Sequence, residues 1–175
     1  MPYSRRTILA SGASLVLSPM PAAAAATDMA ARLFALSAEG QAALMQGDAR
    51  RYFEIVPIAE DFTLMSPFGG TPSHGIYTAE QVDQIGDFFR NGSFAHELVA
   101  QYETAAMIVL VVIEHARAVE VGGLPAQDWD LRVTLVYRRD ADGWRLAHRH
   151  ADPLAAAISV ATSAALGRGD GLGAG

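Results

Sequence analysis

The chain has 175 residues, 51% of them hydrophobic and 18% charged, which suits one well-buried domain and is short for two. Nineteen acids stand against thirteen basic residues, all arginine, so the formal charge of −6 leaves no cationic surplus to neutralise a phosphate backbone, and nucleic acid is not expected as a partner. Cysteine is absent, which excludes disulfides, thiolate metal sites and a cysteine nucleophile.

Residues 1 to 26 read as a signal peptide. Arg5 and Arg6 precede the mostly apolar run Ile8 to Leu17, and Pro19, Pro21 and the alanines Ala22 to Ala26 supply a small-residue cleavage region. Ser4-Arg5-Arg6-Thr7-Ile8-Leu9 resembles the twin-arginine export signal. The apolar run falls short of the roughly 20 residues needed to span a bilayer. The expectation is cleavage between Ala23 and Asp28, a periplasmic or secreted product, and no stable membrane insertion afterwards.

Thr27 or Asp28 can cap a first helix, with Met29, Leu33, Leu36, Leu44 and Met45 mostly at three- and four-residue steps up to Gly47. Asp48 is a good cap for a second, carrying Tyr52, Phe53 and Val56 and ending near Pro57. Asp61 to Phe68 reads as a strand, Gly69-Gly70-Thr71-Pro72 as a turn and Ser73 to Tyr77 as its partner. Thr78 caps a third helix with Val82, Ile85, Phe88 and Phe89 on one side, stopping near Asn91-Gly92. Four strand-like runs follow, Phe94 to Tyr102, Ala106 to Val121, Trp129 to Arg138 and Trp144 to Asp152, and short turns predict an antiparallel meander. Within it the apolar run Met107 to Ile113 suits a central strand covered on both faces. The domain is expected over residues 27–153, with residues 154–175 forming an extension of a short helix and a Gly-rich tail.

In the last strand, period-two alternation places Trp144, Leu146, His148, His150 and Asp152 on one face and Arg145, Ala147, Arg149 and Ala151 on the other. An even-numbered turn aligns Trp129, Leu131, Val133, Leu135 and Tyr137 with the first set. The core face then ends in two imidazoles and a carboxylate. His148, His150 and Asp152 are therefore the candidate catalytic residues, suited to proton transfer. The same residues admit two other readings, structural packing and, with His74 or His115 as a further ligand, a metal site. Glu114 and His115 read as a strand reaching the rim, and Arg132, Arg138, Arg145 and Arg149 as pairs on an outward face.

Three helices interleaved with a short hairpin, then a meander ending in Trp144-Arg145-Leu146-Ala147-His148-Arg149-His150-Ala151-Asp152-Pro153, resemble the SnoaL-like branch of the nuclear transport factor 2-like superfamily. The stretch from Gly47-Asp48 to Gly70, including Phe62-Thr63-Leu64-Met65-Ser66-Pro67-Phe68, is similar to that branch too, as is Leu131-Arg132-Val133-Thr134 running to Gly143-Trp144. The resemblance implies an α+β, cone-shaped fold, a curved antiparallel sheet wrapped by about three helices. It also implies a cavity for a small, largely apolar ligand and a homodimer. Relatives include ketosteroid isomerases, polyketide cyclases and epoxide hydrolases beside members without catalysis. Tyr52, His74, Trp129, Tyr137 and Trp144 are the candidate ligand-binding residues, and neither a cofactor nor a metal is expected. Two functions remain open: a cofactor-independent isomerase or cyclase, and a non-catalytic binding or assembly module.

Overall fold

The computed structural model describes residues 22–169. The expected cleavage region partly overlaps these residues, whereas the paired arginines and the apolar run of the leader lie outside them.

Helix α1 (Ala22–Met45) is followed by α2 (Ala49–Ile55), and the turn between them is set by Gly47, whose φ of 90° favours glycine. Asp48 caps α2 as the sequence predicts, its carboxylate accepting from the N–H of Arg51 at 2.9 Å. Strand β1 (Ile58–Met65) starts three residues earlier than expected, directly after Pro57, and pairs with the two-residue β2 (Ser73–His74). Thr78 and Gln81 form a full capping box at the start of α3 (Ala79–Phe88). That helix packs closely on the α1–α2 turn, because a Cβ at Gly86 would lie 2.7 Å from the Gly47 carbonyl oxygen.

After α3 come β3 (Phe89–Arg90), β4 (Ser93–Glu103), β5 (Met107–Val121), β6 (Gln127–Asp140) and β7 (Gly143–Pro153). The last four form the expected meander. A short helix α4 (Val160–Gly167) follows, capped by Ser159. The strands lie in the order β2-β1-β7-β6-β5-β3, with β4 also on β5. The sheet is mixed rather than purely antiparallel, since β1 runs parallel to β7. Register shifts in β4, in β5 after Ala116 and in β7 after Leu146 bend the strands, which curls the sheet into a half-barrel.

The helices fill the concave side. Ile108, Leu110 and Val112 of β5 and Leu131, Val133 and Leu135 of β6 are buried there with Leu33, Leu44 and Met45 of α1. Alternation on β6 is as predicted, but β5 is covered on one face only: Val109, Val111 and Ile113 are half-exposed on the convex side. Among the described residues, no helix is long and apolar enough to cross a membrane.

Candidate functional site

Between the helices and the concave face lies a cavity of about 390 Å³. Its wall is largely aromatic: Phe53 of α2, Phe62 of β1, Tyr77, Phe88 and Phe89 around α3, Phe94 of β4 and Trp129 of β6. Its polar lining comprises Glu114 of β5 and Arg149 of β7, with Gln41 of α1 and Tyr52 of α2, and also Ser66, Gln81 and Gln84.

Glu114 and Arg149 form a two-pronged ion pair. Arg149 donates through one terminal nitrogen to Oε1 at 2.5 Å and through the other to Oε2 at 2.7 Å, with both side chains buried. Two further elements close on the carboxylate. Gln41 Nε2 donates to Oε1 at 3.4 Å, and His96 Nε2 of β4 lies 3.3 Å from the same oxygen, so the Nε2-protonated ring donates to it. His96 itself is enclosed by Phe34 and Phe94, with ring centroids at 5.5 and 4.8 Å, and its Nδ1 is buried without a hydrogen-bond partner among the described residues.

Electrostatics follow from this geometry. Burial pushes the Glu114 carboxyl upward, but attraction and hydrogen bonds from Arg149, assisted by His96, outweigh it and hold the group at about 2. For Arg149 burial disfavours the charge, yet Glu114 keeps its pKa above the ordinary arginine range. Tyr52 is pushed up to about 12, mainly by burial, so it enters the site as a neutral hydroxyl. The site is thus a neutral pair plus uncharged hydrogen-bonding groups within an apolar wall.

The candidate catalytic residues lie elsewhere. In the β6–β7 ladder Tyr137 faces Leu146, but Val136 faces His148, so one residue of β7, Ala147, is extra. This bulge reverses the alternation beyond Leu146. Arg149 and Ala151 turn inward and are buried, whereas His148, His150 and Asp152 emerge on the convex face. There His150 Nε2 lies 3.5 Å from Asp152, whose other close charge is Arg132 at 3.7 Å, and the two imidazole centroids are 6.4 Å apart. The expected inward placement of this trio is therefore corrected, and so is the outward placement of Arg149. Among the described residues, no three histidine or carboxylate side chains converge as a metal site.

Of the candidate ligand-binding residues, Tyr52 and Trp129 line the cavity. His74 does not; it is exposed on β2 opposite Thr63. Tyr137 and Trp144 border a second depression of about 590 Å³ between α1, α2 and the start of β7. Tyr137 is buried, and although Ser37 lies near enough to influence it, its hydroxyl makes no hydrogen bond of ordinary geometry among the described residues. The reading of Glu114 as a rim residue missed a signal present in the sequence: period-two steps from Ile108 through Leu110 and Val112 lead to Glu114 and Ala116 on one face.

No protein-family model matches the sequence, and no curated protein matches it either. Solved structures do. A ketosteroid isomerase-like protein from Erwinia carotovora atroseptica aligns with a TM-score of 0.57 and 13% identity, over 74% of this chain and 98% of its own. A dehydratase candidate of the NTF2-like family from Streptomyces avermitilis aligns at 0.55 and 20%, over 75% and 96%. The CaMKII hub of S. rosetta aligns at 0.53 and 16%, over 78% and 99%. The chain has the nuclear transport factor 2-like fold. With that fold in place, the Glu114–Arg149 pair sits on the concave face of the NTF2-like cone, and His148, His150 and Asp152 sit on its back.

Proposed function

We propose that this NTF2-like chain is a small-molecule-binding protein of the SnoaL-like type, taking a largely apolar ligand with a neutral, hydrogen-bond-accepting end. One observation carries the reading: the carboxylate in the cavity is clamped by Arg149 and held at about 2. A carboxylate of such low proton affinity is a weak general base near neutral pH, and no histidine lines the cavity among the described residues. Donors are at hand by contrast. Arg149 has five N–H groups and Glu114 engages two of them, while Tyr52, which also lines the cavity, brings a hydroxyl kept neutral by burial. A carbonyl or hydroxyl fits these donors, whereas a carboxylate end would meet Glu114. Binding without turnover is accordingly favoured over an isomerase or cyclase.

The test is mass spectrometry of small molecules extracted from the purified protein, followed by calorimetric titration of what is found. A neutral oxygen-bearing apolar compound is expected, with affinity reduced up to about tenfold in Tyr52→Phe through loss of one hydrogen bond. Recovery of carboxylates, or turnover of the bound compound, would replace the reading.

The same proposal places the protein outside the cytoplasm as a homodimer. The paired arginines of the leader support twin-arginine export, so Arg5→Lys with Arg6→Lys should strongly reduce export, and unchanged export would indicate the general route. The half-exposed Val109, Val111 and Ile113 of β5, beside Val136 of β6, support association through the convex face. Light scattering that shows only monomer at micromolar concentration would remove the dimer.

A further inference from the structure

We propose that Phe68 is a removable plug at the cavity mouth and that the face of Trp129 on which it stacks is the seat for a planar, unsaturated ring of the ligand. The proposal rests on the binding reading above and specifies the ligand's apolar part. Four rings meet at this end of the cavity. Phe68 stacks on Trp129, with centroids 5.3 Å apart and planes at 29°, and presents an edge to Phe88 at 5.4 Å. Phe88 in turn meets Phe89 edge-on at 5.1 Å, and Phe89 stacks with Trp129 at 6.2 Å and 21°.

These rings are not held alike. Trp129 is fixed in the sheet opposite Ala116, Phe88 ends α3, and Phe89 pairs with Val121. Phe68 alone of the four comes from the β1–β2 loop. It is 59% exposed although it lines the cavity. Its loop is tied locally, the Phe68 N–H donating to Ser66 Oγ at 3.2 Å and the Gly69 N–H to the Ser66 carbonyl at 3.0 Å. Gly69 and Gly70, with φ of 77° and 82°, follow it, and nothing lies within 4 Å of where their Cβ atoms would be.

A ring that is more than half exposed gives up little apolar burial when it leaves. What it gives up is the stacking contact with Trp129 and the edge contact with Phe88, and an incoming flat ring on Trp129 restores the first. A saturated ring of similar size has no π-face to offer. Phe68 thus marks the position and the chemistry of the group that replaces it, while the donors around Arg149 select the neutral oxygen on the same molecule.

Calorimetric titration with 2-naphthol and with its saturated analogue decahydro-2-naphthol tests this on the full chain. The naphthol should bind about tenfold more tightly, and Trp129→Leu should bring the two within about twofold of each other. Phe68→Ala should strengthen the binding of both compounds by about three- to tenfold, because either must displace the competing ring, and leave the preference for the naphthol, which Trp129 supplies, little changed. Phe68→Leu keeps apolar bulk without a π-face and should behave like Phe68→Ala, which guards against a folding effect of the smaller side chain. Equal binding of both compounds to the wild type, or weaker naphthol binding in both Phe68 variants, would make Phe68 a fixed wall and overturn the plug while the binding reading stands. If neither compound binds, both the plug and the pocket with a neutral oxygen-bearing ligand fall.

Discussion

The two faces of this sheet carry similar charged and imidazole side chains with opposite physical consequences. On the concave face Glu114, Arg149 and His96 are almost sealed from water, with side-chain exposures of 4%, 11% and 1%. On the convex face Asp130 pairs with Arg117 and lies 3.2 Å from His115 Nδ1, with Glu97 3.6 Å from Nε2 and each group partly or largely exposed. Desolvation separates the two sets. Inside, each charge depends on its partner because water cannot replace it; outside, solvent supplies an alternative to each contact. A cluster of ionisable groups therefore says little about a site until its face is known.

The largest effect should come from breaking the inner pair on one side. Glu114→Gln or Arg149→Met alone leaves an unpartnered buried charge and should cost about 3–5 kcal/mol of stability in urea denaturation. Changing both together should recover most of that loss, since no uncompensated charge remains. A double variant as unstable as the worse single one would show that the pair is needed for the fold and not merely for its own neutrality.

Acid should expose the same pair next. With Glu114 lowered from 4.5 to about 2 in the folded protein, its contribution is complete above the ordinary carboxylate range and is lost as pH falls from about 4.5 through about 2. Stability measured across that window should decline in the wild type and be flatter in the double variant. Equal slopes would assign the acid sensitivity to other carboxylates.

The smallest effect is expected on the convex face. His150→Ala should change stability by no more than about 0.5 kcal/mol and leave ligand affinity as it was, since His150 is 40% exposed in its side chain and lies away from the cavity. A large loss of binding in this variant would move the site to the back of the sheet and erase the contrast between the faces.

Much of this was legible in the chain because it depends on local signals. Asp48 and Thr78 announced two helix starts through cap chemistry, and the turns around Gly122-Gly123 and Asp140 to Gly143 announced the meander. Alternation placed Trp129 through Tyr137 on the inward face, and the ordered resemblance of several segments was enough for the cone. Glu114 was legible too, by stepping in twos along β5, had its charge not suggested a rim.

Arg149 was not legible in that way. Its side chain turns inward because one extra residue at Ala147 is accommodated where β7 lies between β6 and the irregularly paired β1, and that accommodation involves partners more than eighty residues away in the chain. Local alternation carries no record of it. The sequence by itself thus determined most of the elements, their order and the neighbours within the hairpin and the meander, since these follow from short-range periodicity, capping and turn chemistry, whereas the parallel pairing of β1 with β7 came only with the fold. Only the tertiary structure decided which end of β7 points into the cone, because a bulge of one residue inverts a period of two.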